Sequence, residues 1–70
     1  MNFGEYLKSA RLDRGKTQCE FAKRLKTSQS YLSNLEDNKI KPGIKTLRKV
    51  ADELGVEIKY LRRLLNENNK

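Results

Sequence analysis

The stretch from Thr17 to Asn38, TQCEFAKRLKTSQSYLSNLEDN, admits few folds. It reads as two short helices joined by a tight turn. Winding Ser28 to Glu36 at about 100° per residue puts Tyr31, Leu32 and Leu35 on one side and Gln29, Ser30, Ser33 and Asn34 on the other. The outward face is amide and hydroxyl, without charge. A solvated surface helix usually carries Lys and Glu, which form i,i+4 pairs. This one shows short groups that both donate and accept.

The flanking pattern predicts an all-α chain. A first helix is expected from about Asn2 to Arg14, with Asn2 as cap, Glu5 three positions on, and Phe3, Leu7 and Ala10 along one side. Leu12 falls on the opposite side, either as a lone exposed apolar group, the ordinary case, or as part of a small contact patch. Gly15 stops this helix. Thr17 and Glu20 form a capping box for the second helix, whose Phe21, Ala22 and Leu25 face inward. Lys26 and Thr27 make the turn, Ser28 caps the third helix, and Asp37 and Asn38 end it. Lys39 to Gly43 is a basic loop. A fourth helix, Ile44 to Leu54, carries Ile44, Leu47, Val50, Ala51 and Leu54 on one stripe and stops at Gly55. A fifth, from about Glu57 to Asn66, turns Ile58, Leu61 and Leu65 to the core. Residues 1–66 are then one domain, and residues 67–70 a frayed tail.

With 70 residues, 36% hydrophobic and no Trp, the core is marginal and each amphipathic helix must contribute to it. The formal charge of +7 points to a polyanionic partner. An anionic membrane fits poorly, because no apolar run approaches the ~20 residues that span a bilayer and no helix has a wholly basic polar face. No secretory signal is apparent, so a cytoplasmic location is expected. Cys19 is the only cysteine and histidine is absent, which excludes an internal disulfide and the usual zinc sets. Nothing assembles a nucleophile with a base, so no enzyme, cofactor or small-molecule ligand is expected. Double-stranded DNA fits the uncharged face: Gln or Asn can meet adenine N6 and N7 with two hydrogen bonds, and Ser can serve either kind of base.

Thr17, Gln18, Phe21, Ala22, Leu25, Ser28, Gln29, Leu32, Ser33, Leu35 and Glu36, followed by Lys39, Pro42, Leu47, Ala51, Leu54, Gly55, Val56 and Leu61, form a registered series. It resembles the helix-turn-helix domain of the Cro/C1 and Xre type of phage and bacterial repressors over about residues 3 to 65. The resemblance implies a compact five-helix, lambda-repressor-like bundle. The third helix would enter the major groove while the second lies across the backbone. Gln29, Ser30, Ser33 and Asn34 would read bases, and Gln18, Ser28, Lys39 and Lys41 would hold the phosphate backbone. In the family the residue matching Gln18 binds a phosphate and braces the one matching Gln29, and the residues matching Arg11 and Glu36 make a partly buried salt bridge.

Several positions depart from the family. Lys26 stands where Gly is common, because the backbone there tends to positive φ. Asp37 replaces a neutral or basic residue and would repel phosphate unless it pairs with a lysine, and Lys16 stands where an apolar residue is frequent. Lys23, Arg24, Arg48 and Lys49 are expected to form a solvated basic face. One domain makes few contacts, so two copies on a pseudo-palindrome are expected. Tyr60 and Leu64, four apart and beside the core stripe, are the expected two-fold interface of a homodimer. The leading expectation is a transcriptional repressor. The rival is an antitoxin or protein-binding module with secondary DNA binding.

Overall fold

The computed structural model describes residues 1–68, with helices α1 (Phe3–Asp13), α2 (Gln18–Arg24), α3 (Gln29–Glu36), α4 (Ile44–Leu54) and α5 (Ile58–Asn68). No strand occurs among the described residues. The last helix runs beyond the expected end at Asn66, and residues 69–70 of the expected frayed tail lie outside the described residues.

Side chains start the first three helices. Asn2 accepts from the Glu5 N–H at 2.9 Å while Glu5 accepts from the Asn2 N–H at 3.1 Å. Thr17 and Glu20 repeat this box, and Ser28 Oγ accepts from the Tyr31 N–H at 3.1 Å. Each such cap contributes ~1 kcal/mol by satisfying donors that the first turn leaves free.

Left-handed residues end the helices: Gly15 and Gly55, but also Lys26 at φ 56° and Asn38 at φ 59°. Around Lys26 the Thr27 N–H reaches the Ala22 carbonyl at 2.9 Å, and around Asn38 the Lys39 N–H reaches the Asn34 carbonyl at 2.9 Å. These six-residue closures satisfy terminal carbonyls. The closure at Lys26 also turns the chain abruptly, so only four residues, Leu25 to Ser28, separate α2 from α3.

Phe3, Leu7, Phe21, Leu25, Leu32, Leu35, Val50 and Leu61 are essentially inaccessible, and α1 packs on α3 and α5, α2 on α3, and α4 on α5. Small Ala10, Ala22 and Ala51 lie in the same core. Ile44, expected on the α4 stripe, is 43% exposed because it sits on the helix's first turn at the edge of the core. Leu64 departs further from expectation. It is buried in the monomer, since α5 packs on both α1 and α4 and so buries Leu61 and Leu64, with Ile58 and Leu65 half-buried beside them. Arg24, expected on the solvated basic face, is exposed and in addition pairs with Glu53, which links α2 to α4.

Candidate nucleic-acid interface

Because its apolar side is committed to the core, α3 has one face left. Gln29 and Ser30 are exposed on its first turn, and Ser33 and Asn34 are half-buried one turn later. With Gln18 from the start of α2 they line an open recess of about 460 Å³ that contains no charged side chain. Every one of the four expected base-reading residues therefore borders one surface, and Gln18 joins them from the neighbouring helix. Tyr31 turns away, its hydroxyl 3.2 Å from Thr46 Oγ1 on α4.

Behind the recess lies a polar network. Glu36 Oε2 accepts from Arg11 Nε at 2.8 Å, and Glu36 Oε1 accepts from Arg11 Nη2 at 3.1 Å. The side chains are 8% and 1% exposed. Arg11 Nη1 donates to the Lys16 carbonyl at 2.8 Å, which ties in the segment leading to α2. Gln18 Nε2 donates to Glu36 Oε1 at 3.0 Å. The network leaves no buried side-chain nitrogen or oxygen unsatisfied among the described residues. The family resemblance implies that Gln18 braces Gln29; in the free chain its recorded bond goes to Glu36.

Sequence reasoning missed the support for this end of α3. The Gly4 N–H donates to Asn38 Oδ1 at 3.0 Å, and Asn38 Nδ2 donates to Asn2 Oδ1 at 2.9 Å. A Cβ on Gly4 would lie 2.4 Å from the Glu36 carbonyl oxygen. Gly4 is thus required by close approach, at a negative φ that gives no hint in the sequence pattern.

Ser28 is exposed, and its oxygen already caps α3. Lys39 and Lys41 are exposed on the loop that leaves α3, as is Asp37, which forms no ion pair among the described residues. The Glu20 carboxyl is held below the usual glutamate range, first by the Thr17 backbone N–H and then by the Thr17 side chain. Burial raises the Tyr6 hydroxyl, with a smaller contribution from neighbouring Tyr60. Those two rings meet edge to face with centroids 5.4 Å apart, and Tyr60 is 45% exposed. No cluster of His, Cys, Asp or Glu suited to a metal ion occurs among the described residues, and no helix there is long and apolar enough to cross a membrane.

Comparison with known proteins agrees with this arrangement. Residues 4–67 match the family described as helix-turn-helix domain. The immunity repressor protein of Bacillus phage phi105 is 34% identical over 58 residues, covering 83% of this chain and 40% of that protein. The N-terminal DNA-binding domain of SinR from Bacillus subtilis superposes with a TM-score of 0.76 at 33% identity, covering 86% of this chain and 88% of that one. Bacillus thuringiensis PlcR, solved with a peptide and DNA, gives a TM-score of 0.80 at 26% identity over 91% of this chain and 22% of its own. The chain thus spans less than half of the phage repressor and less than a quarter of PlcR. With the family match covering nearly every residue and the turn between α2 and α3 in place, the chain belongs to the helix-turn-helix domain family, of the Cro/C1 type.

Proposed function

We propose that the chain is a sequence-specific DNA-binding transcriptional regulator, a repressor of phage, plasmid or restriction-control type, that binds a pseudo-palindromic operator as a homodimer. The observation that carries this reading is the uncharged recess of Gln18, Gln29, Ser30, Ser33 and Asn34 on a chain of formal charge +7. Charge attracts the duplex without regard to sequence, and neutral donor and acceptor groups discriminate between bases. Gln29 and Ser30 on the first turn of α3 enter the major groove, and Ser33 and Asn34 follow one turn later. Gln18, Ser28, Lys39 and Lys41 hold phosphates on either side of that helix. The relatives described as a phage immunity repressor, as a DNA-binding domain and as a protein in complex with a peptide and DNA support the same reading.

Dimer formation centres on Tyr60 and not on Leu64. The Tyr60 ring is half out of the protein, with Tyr6 bracing its inner edge, whereas Leu64 belongs to the core. A half-exposed aromatic anchor of this kind suits a two-fold contact that would bury it.

Selection of bound duplexes from random DNA tests the reading directly. It should return a half-site repeated with two-fold symmetry and spaced by about one helical turn. Enrichment of no sequence over another would refute base reading, and an unrepeated site bound by one copy would refute the dimer.

A further inference from the structure

Glu36 joins the salt bridge to the recess, because the oxygen that accepts from Arg11 Nη2 also accepts from Gln18 Nε2. We propose that Glu36 is a positioning residue for base recognition: its carboxylate selects which end of the Gln18 amide faces the recess, and so the donor–acceptor sense in which Gln29 meets a base. This inference rests on the DNA-reading function proposed above.

The two ends of a glutamine amide have nearly the same shape and opposite hydrogen-bonding character. A carboxylate can only accept, so the nitrogen end is the one that meets Glu36. Arg11 prevents the carboxylate from turning away: two of its nitrogens hold Glu36 and a third is tied to the Lys16 carbonyl. Gln18 therefore offers the recess its carbonyl oxygen and one remaining N–H. No bond joins Gln18 to Gln29 among the described residues of the free chain, but both line the same recess, and on the duplex that oxygen accepts an N–H from Gln29. Gln29 is left with one N–H and its carbonyl oxygen, the donor and acceptor that adenine N7 and N6 require. With the Gln18 amide reversed, Gln29 would turn its own carbonyl inward and show two donors, which match guanine N7 and O6 instead. The charge on Glu36, which touches no DNA, thus becomes a preference for adenine over guanine at one base pair.

The test measures the ratio of Kd values for the selected operator and for the same operator with guanine replacing adenine at the position that Gln29→Ala relaxes. Variants are Glu36→Gln and, because that change strands Arg11, the double Arg11→Met with Glu36→Met, since apolar replacement of a buried pair is commonly tolerated. Val50→Ala, in the core among side chains that do not line the recess, serves as a control for lost stability alone. The ratio should fall by about fivefold or more in both pair variants, within the range of one bidentate contact, and stay unchanged in the control. Adding Gln18→Met to the double variant should produce no further fall. A wild-type ratio in the folded double variant, or equal weakening at every operator position, would make Glu36 a strut and overturn the inference. So would a selected operator without adenine at that position. If the wild-type chain itself prefers no duplex, the DNA-reading proposal falls first and this inference with it.

Discussion

Replacing Gly4 with alanine should destabilise the domain although alanine is the better helix former by about 1 kcal/mol. The position lies in α1, where the Glu36 carbonyl oxygen would be 2.4 Å from the new Cβ and both polar atoms of the Asn38 side chain 2.7 Å from it. Ordinary carbon–oxygen contact needs ~3.4 Å, so α1 and the end of α3 must separate by about 1 Å. Overpacking of this kind costs ~1–3 kcal/mol. Loss of the Gly4 to Asn38 hydrogen bond adds ~1 kcal/mol, which roughly cancels the gain in helix propensity. A net loss of ~1–3 kcal/mol is a large share of the ~4–10 kcal/mol expected of 70 residues. Urea unfolding followed by circular dichroism should show the midpoint lowered by about 1 M or more with the slope unchanged. A variant as stable as the parent would mean that the close approach of α1 to α3 does not constrain the fold.

The other expectations concern the caps, the ion pair and the interface. Glu36→Ala should cost ~3–5 kcal/mol, because it leaves the Arg11 guanidinium buried without its carboxylate; a loss below 1 kcal/mol in the same unfolding assay would contradict the account. Lys26→Gly should stabilise by roughly 0.5–1 kcal/mol and raise the melting temperature by a few degrees, since it removes a left-handed lysine from a turn that must stay left-handed. The Glu20 pKa is depressed in the folded chain, so its contribution is present above the ordinary glutamate value and lost as pH falls through the folded value. Glu20→Gln should accordingly flatten the acid limb of the stability profile, and an unchanged limb would argue against the capping box as its source. Lys41→Ala should weaken binding to all duplexes alike and reduce its salt dependence, whereas Gln29→Ala should relax preference at one base pair. Uniform weakening by both in a fluorescence-anisotropy titration would remove the distinction between phosphate-holding and base-reading residues.

Local chemistry carried much of this protein's description. Capping at Asn2, Thr17 and Ser28 needs only residues three apart, and the stops at Gly15 and Gly55 need only the residue itself, so α1 to α4 were legible to within a residue or two. The uncharged face of α3 was legible for the same reason: helical periodicity puts Gln29, Ser30, Ser33 and Asn34 together without reference to any other element. The left-handed backbone at Lys26 was expected from the family resemblance, where glycine is common at that position, and not from the lysine itself.

What the pattern could not decide was set by distances between helices. Whether Leu64 is core or surface depends on how many neighbours α5 has, and two neighbours widen its buried stripe past the single row that periodicity suggests. Gly4 gives no sign of its role until α3 is seen lying against it, and the partner of the exposed Arg24 is unknown until α4 brings Glu53 alongside. The hydrogen bond from Gln18 to Glu36 belongs to the same class, for it spans 18 positions and exists only because the turn at Lys26 folds α2 back over α3. Periodicity along one helix specifies which side is apolar; how far that side is covered, and which polar groups meet across it, is a property of the packed bundle.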